Sequence, residues 1–193
     1  MTAPTAAERY SGTAIALHWA IAALILANFP LGFFNEAIES ASGASPMWLH
    51  KSIGLTVLVL SIARLAWRLT HRPPPLPGTV IGWRATASAA VHRAFYALMV
   101  LVPLSGWLRT SAGAYPLTWF GVLDVPKFPI LRGSAEARLA ASAHDLLAWT
   151  MMALVALHVA AALHHHFVLR DAVLRRMLPP QPATTAPTRD IGR

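Results

Sequence analysis

Four long apolar segments take up most of this 193-residue chain, and they restrict its fold more than any other feature. The first, residues 14–34, holds twenty-one residues without a charge. A helix rises about 1.5 Å per residue and the hydrocarbon core of a bilayer is roughly 30 Å thick, so this segment can cross it. The others are residues 48–69, 89–108 and 145–169. The pattern predicts an all-α, integral membrane four-helix bundle.

The composition agrees with a membrane protein. Charged residues make up only 12% of the chain, against about 25% in soluble domains. A net charge of +8 would suggest nucleic-acid binding in a soluble protein. Here the basic residues flank the apolar segments, so topology explains them better and no nucleic-acid partner is expected. The absence of cysteine excludes disulfides, thiolate-bound iron–sulfur clusters and haem attached through a C-x-x-C-H motif.

The basic residues are distributed unevenly between the two sides of the predicted bundle. With the N-terminus in the cytoplasm, eleven fall on the cytoplasmic side and five on the outer side. Excess positive charge is retained inside, so both termini are predicted to be cytoplasmic. Residues 1–13 then form a cytoplasmic segment, residues 14–178 the membrane domain, and residues 179–193, rich in Pro and Thr, a disordered cytoplasmic tail. The connections show no strand pattern.

Four histidines fall at matching depths in the first and second segments and in or directly before the fourth: His18, His50, His158 and His144. The last two are fourteen residues apart, so they share one helix face at a separation of about 21 Å. Depth pairs His18 with His158 near the inner side and His50 with His144 near the outer side. Because two facing neutral imidazoles can hold a haem iron, the spacing predicts two stacked haems. The alternative for each histidine is a hydrogen bond to a neighbouring backbone carbonyl.

Other residues lie on the same helical stripes. Gly32, Gly54 and Gly106 are predicted to leave room for a flat macrocycle, with close helix packing as the alternative. Arg64 follows His50 by fourteen residues. It is expected either to pair with a haem propionate at the inner depth or to extend to the membrane surface.

The remaining histidines are expected to have other roles. His92 begins the third segment and is predicted to be interfacial, and His71 is predicted to be a solvated loop residue. His164, His165 and His166 resemble a metal-binding tract where the last helix leaves the membrane. His165 is expected either to contact an inner propionate or a quinone head group, or to be a surface residue.

Three stretches of the chain resemble the bacterial cytochrome b561 family. They are RYSGTAIALHW at residues 9–19, WLHKSIGLTVLVLSIARLAWR at residues 48–68, and HDLLAW followed by ALHVAAALHHHFVLRD within residues 144–171. The resemblance covers about residues 9–178. It implies a multi-pass dihaem cytochrome of the bacterial inner membrane. It also implies that the axial ligands of two non-covalent b haems are His18, His50, His144 and His158.

The resemblance implies electron exchange with ubiquinone and, for some members, superoxide oxidation at the outer face. The chain would then be an oxidoreductase that transfers electrons across the membrane. Since two histidines fill both axial positions of an iron, superoxide would react at the haem edge. Lys51, Arg109 and Arg138 are expected either to attract that anion or to anchor the interface.

Two other functions stay open at this stage. The first is a cytochrome b anchor subunit that passes electrons for a soluble dehydrogenase or hydrogenase. The second is a haem-free metal-handling membrane protein that uses the histidines differently.

Overall fold

The computed structural model describes residues 9–179, and its main elements are four long helices. They are α1 (Gly12–Phe33), α3 (Met47–Thr70), α4 (Trp83–Ser111) and α5 (Ala135–His164), and a short helix α2 (Asn35–Ser42) follows α1. Each long helix is apolar and long enough to cross a membrane. The predicted all-α membrane architecture is therefore confirmed. The predicted disordered tail, apart from Pro179, lies outside the described residues.

Two of the helices extend well beyond the predicted apolar spans at their N-terminal ends. α4 begins at Trp83 instead of residue 89, and α5 begins at Ala135 instead of residue 145. In α5 the Ser134 hydroxyl caps the helix by accepting the Ala137 N–H at 3.2 Å, and Glu136 lies in the first turn. Capping and a favourable charge at the helix dipole stabilise a polar turn that hydropathy alone does not predict.

The connections contain two elements that the sequence pattern did not predict. One is the short helix α2, which ends at Gly43 in the left-handed conformation. The other is an antiparallel hairpin of β1 (Leu117–Trp119) and β2 (Leu123–Val125), with Leu117 opposite Val125. Three residues per strand are too few for an alternating pattern to be visible in the sequence.

The hairpin is attached to α3. The Trp119 indole N–H donates to Thr56 Oγ1 at 3.0 Å, and the Phe120 N–H donates to Ser52 Oγ at 2.9 Å. Ser52 and Thr56 lie in the two turns that follow His50. The hairpin therefore covers the end of the bundle that carries His50.

The opposite end of the bundle holds both ends of the described chain. The Trp19 indole donates to the Met177 carbonyl at 2.7 Å, and the Tyr10 N–H donates to the Arg176 carbonyl at 3.3 Å. Arg176 is buried and donates to the Pro75 carbonyl at 2.7 Å. The C-terminal segment is thus packed against the start of α1 and the connection between α3 and α4.

A small apolar core occupies the middle of the bundle. α1 packs against α3, α3 against α4, and α4 against α5. The buried residues of the core are Ile21, Ile53, Val57, Leu98, Met99 and Met151. Large apolar side chains cover the outer faces of the same helices, as expected for surfaces in contact with lipid.

Candidate functional site

The four long helices place their chemically distinctive residues in layers. A distal layer, at the hairpin end, comprises Gly32, His50, Gly106 and His144. A proximal layer, at the end that holds the chain termini, comprises His18, Arg64, His92 and His158. On each helix the two positions are fourteen residues apart, which is about 21 Å along a straight axis. The core residues Val57, Met99 and Met151 lie midway and separate the layers.

In the distal layer the structure brings His50 and His144 together. Their ring centroids are 6.2 Å apart and their planes are nearly perpendicular, at 87°. His50 Nδ1 lies 3.1 Å from the Asn28 carbonyl oxygen, and His144 Nδ1 lies 3.0 Å from the Val102 carbonyl oxygen. A carbonyl only accepts, so each Nδ1 carries the proton and donates. Each Nε2 then keeps the lone pair that a metal requires.

Glycines make these two hydrogen bonds sterically possible. A Cβ on Gly32 would lie 2.6 Å from Cε1 of His50, and a Cβ on Gly106 would lie 2.9 Å from Cε1 of His144. Each glycine comes four residues after the carbonyl that accepts the proton, so it clears the helix surface beside that carbonyl. Gly32 and Gly106 therefore accommodate the imidazoles themselves, which differs from the predicted role of making room for a macrocycle. A Cβ on Gly54 would meet only Asn28 Nδ2, at 3.9 Å.

In the proximal layer the structure brings three histidines together, one more than the sequence pattern assigned. His18 and His158 have ring centroids 6.2 Å apart, at an angle of 73°. The His92 ring lies 5.8 Å from that of His158. Arg64 interacts electrostatically with both His18 and His158. His92 is exposed, as expected for the predicted interfacial residue, and it also lies in this layer; its position fourteen residues before Gly106 is the signal that could have indicated this.

The geometry of both pairs fits a haem iron. A metal–imidazole bond is about 2 Å long and the nitrogen lies roughly 1 Å from the ring centre, so two imidazoles on one iron have centroids about 6 Å apart. Both pairs have this separation, 6.2 Å. In the distal pair the hydrogen bonds also select the tautomer that binds metal.

Two cationic side chains lie within electrostatic range of the distal pair. Arg109 interacts electrostatically with both His50 and His144, and Lys51 interacts with His50. Arg109 also pairs with Asp145 at 2.6 Å, and both side chains of this ion pair are about half exposed, at 49% and 62%. Arg138 instead donates to the Gly133 carbonyl at 2.6 Å, which is consistent with an anchoring role.

The histidines near the end of α5 form a different arrangement. The helix continues as a single π-helical segment, His165–Leu169, a feature that often occurs at functional sites. His165 Nδ1 donates to Asp171 Oδ2 at 2.6 Å, and Thr79 donates to the same oxygen at 2.9 Å. The His165 side chain is only 17% exposed, so the predicted alternative of a surface residue is wrong.

Two further predictions about histidines can be compared with the structure. Within residues 9–179, no group of three or more His, Asp or Glu side chains is arranged to hold a metal ion, and this includes the tract at residues 164–166. His71 is exposed and stacks on Trp67 with 3.6 Å between ring centroids. This position agrees with the prediction for His71.

Comparisons with known proteins agree with this arrangement. The family described as prokaryotic cytochrome b561 matches residues 9–180 of the chain. Cytochrome b561 homolog 2 of Escherichia coli is 35% identical over 175 residues, covering 89% of this chain and 92% of the relative. Cytochrome b562 of Cereibacter sphaeroides is 32% identical over 181 residues, with coverages of 89% and 96%.

A third relative is named for an activity. A protein of Yersinia pestis named probable superoxide oxidase CybB is 29% identical over 175 residues, covering 89% of this chain and 97% of the relative. The family match extends over all the described residues and so includes both histidine layers. The chain therefore belongs to the prokaryotic cytochrome b561 family, whose members are haem-containing membrane proteins of electron transport.

Proposed function

We propose that the protein transfers electrons across a membrane through two b haems. His50 and His144 would hold the distal haem, and His18 and His158 the proximal haem. The observation that carries the proposal is the repetition of one geometry. Two imidazole pairs, each with ring centroids 6.2 Å apart, are contributed by three helices at two depths. A chance cluster of half-buried histidines is not expected to repeat the same separation at two depths.

The protein's own residues would orient and insulate these sites. The Asn28 and Val102 carbonyls hold the distal imidazoles in one tautomer and one orientation. The buried side chains of Val57, Met99 and Met151 would fill the space between the layers with apolar groups. Haem iron, when bound, supplies a one-electron couple, whose potential depends on the surrounding hydrogen bonds and charges.

We propose that the proximal end faces the cytoplasm of a bacterium and that the membrane is the inner membrane. The excess of basic residues on the proximal side supports this orientation. The division into a cytoplasmic segment (1–13), a dihaem membrane domain (14–178) and a tail (179–193) is part of the same proposal.

We further propose that ubiquinone exchanges electrons with this protein and that superoxide is a donor at the distal end. The name of the Yersinia pestis relative supports superoxide as the donor. The cations Lys51 and Arg109 beside the distal pair would attract this anion. A redox protein docking at the distal end is the competing donor.

Spectroscopy with haem quantification tests the proposal. Purified protein should show a b-type reduced-minus-oxidised spectrum and two haems per chain. His144→Ala should remove the distal haem and retain the proximal one, and His158→Ala should do the opposite. A colourless protein from cells with ample haem would contradict the proposal. So would the loss of the same haem in both variants.

The donor needs a separate experiment. Protein in vesicles that contain ubiquinone should be reduced by a superoxide source on the distal side only, and quinol should form. The Lys51→Gln variant should react more slowly at low salt, with a smaller difference at high salt because exposed charges are screened. Equal rates for the variant and wild type at low salt would exclude Lys51 from anion attraction.

A further inference from the structure

Each layer has one position on each long helix, and two of its four positions hold the proposed histidine ligands. The two layers differ in the residues at the other two positions. In the distal layer these positions are Gly32 and Gly106, which only make room for imidazoles. In the proximal layer they are Arg64 and His92. The proximal layer thus adds a guanidinium and an imidazole where the distal layer has no side chains. A difference of this kind indicates that the proximal layer binds an additional polar group.

His92 is held beside the proximal pair by its own helix. Its Nδ1 lies 2.6 Å from the Ser88 carbonyl oxygen, one turn earlier. Because that carbonyl can only accept, Nδ1 donates and Nε2 is the nitrogen that remains available. The ring lies 5.8 Å from that of His158 at an angle of 86°, and His92 interacts electrostatically with His18 as well. His92 therefore stands beside the His158 imidazole and within electrostatic range of His18.

The four long helices provide no carboxylate at this depth. Their only acidic residues are Glu136 and Asp145, and both lie on the part of α5 that precedes or adjoins the distal layer. Asp171, beyond the end of α5, already accepts hydrogen bonds from His165, Thr79 and the Val173 N–H. A guanidinium within an apolar span needs an anionic partner, and carboxylates are well matched to it. Within residues 9–179, therefore, no free carboxylate is available to Arg64 at this depth, and a bound molecule would supply its partner.

We propose that His92 is a positioning residue beside Arg64, and that one proton shared between its Nε2 and a carboxyl oxygen of the proximal porphyrin joins the two groups, since Nδ1–H already donates to the Ser88 carbonyl. The proposal rests on the dihaem function, in which His18 and His158 occupy both axial positions of the iron. His92 is then left to contact the edge of the ligand and not the metal. Haem b carries two carboxylates. Arg64 can pair with one and His92 with the other, or both residues can contact the same carboxylate.

Variants at position 92 test the proposal, and the distal haem serves as the internal control for folding. His92→Leu removes the hydrogen bond, whereas His92→Gln retains a polar nitrogen on a side chain of similar length. We expect both variants to bind two haems per chain. In His92→Leu the proximal haem should dissociate to apomyoglobin about tenfold faster, the effect expected for losing a hydrogen bond to a charged group. Its midpoint potential should fall, because the carboxylate charge is less compensated, and His92→Gln should restore both properties substantially.

The outcomes separate this proposal from the function on which it rests. Wild-type rates and potentials for the proximal haem in His92→Leu would overturn the role of His92 and leave the dihaem function intact. If both His92 variants lost the proximal haem and His18→Ala retained it, His92 would be an axial ligand. That result would also overturn the proposed positioning role of His92. Loss of both haems in His92→Leu and His92→Gln would indicate a general folding role, with the same consequence. Fewer than two haems in the wild type would instead contradict the proposed function.

Discussion

Gly106 lies directly against the ring of His144, so that a Cβ added to it would be 2.9 Å from Cε1 and 3.1 Å from Nδ1 of that ring. Gly32 has the same relationship to His50 across the bundle. In both cases the imidazole of one helix reaches a carbonyl of its neighbour because the neighbour has no side chain at that point. The distal pair therefore depends on two glycines as much as on two histidines.

We expect Gly106→Ala to displace His144 and to lower the occupancy or the potential of the distal haem. The ring cannot move away without weakening its hydrogen bond to Val102, which is 3.0 Å long in the structure. Overpacking of this kind costs about 1–3 kcal/mol. Haem stoichiometry and redox titration measure the effect. Gly54→Ala is the matched control, because its Cβ would make only an ordinary contact at 3.9 Å. Equal effects of the two substitutions would contradict the proposed role of Gly106.

Met151→Ala should destabilise the bundle without removing either haem. Met151 is 5% exposed in the core between the layers, so truncation leaves a cavity. Buried methionine-to-alanine changes cost about 2–5 kcal/mol. Thermal unfolding in detergent, followed by circular dichroism, should show a lower midpoint, and the haem content of the protein before heating should be normal. Leu157→Ala is the control, because Leu157 is 56% exposed on the helix surface. A larger loss of stability in the control would mean that the core lies elsewhere.

The Arg109–Asp145 ion pair should influence the distal haem more than it influences stability. Both side chains of the pair are about half exposed, so it contributes about 0–1 kcal/mol to stability. Asp145→Asn leaves the Arg109 charge uncompensated beside His144 and should raise the distal potential, since positive charge favours the reduced state. Arg109→Gln should lower it. The double variant should lie between the two single variants in potentiometric titrations, with the proximal potential unchanged in all three. Shifts of the same sign in both single variants would contradict this account.

The Asp171 carboxylate should make stability depend on pH. Burial raises the pKa of Asp171, but hydrogen bonds from His165, the Val173 N–H and Thr79 outweigh this effect, so the pKa lies below its ordinary value of 3.8. A carboxyl with a depressed pKa in the folded state contributes stability above the ordinary value and loses it as the pH falls through the folded value. Asp171→Asn should therefore be less stable than wild type at neutral pH, by about 1.5–3 kcal/mol.

The difference between Asp171→Asn and wild type should diminish only below about pH 4, the ordinary range for this carboxyl. Denaturant titrations at a series of pH values provide the measurement. Asp124→Asn, at an exposed position of β2, is the control and should have about the stability of wild type at neutral pH. A difference that persisted unchanged to pH 2 would show that the carboxylate charge is not responsible.

Much of the architecture could be predicted because its causes are local. Long uncharged segments determine where helices can cross a membrane, and α1 and α3 begin and end within two residues of the predicted spans. α2 and the hairpin could not be predicted from hydropathy, because a capping glycine, a few backbone pairs and the hydrogen bonds to Ser52 and Thr56 stabilise them.

At the candidate site, too, some features follow from local helix geometry and others depend on tertiary contacts. Helical periodicity by itself placed His144 and His158 on one face and matched each to a histidine of similar depth, because rise and rotation per residue are constant properties of a helix. Only the tertiary structure decided which neighbouring surface each imidazole contacts. It assigned Gly32 and Gly106 to the rings, moved His92 into the proximal layer and paired His165 with Asp171. These relationships depend on how the helices rotate and approach one another, and no single helix contains that information.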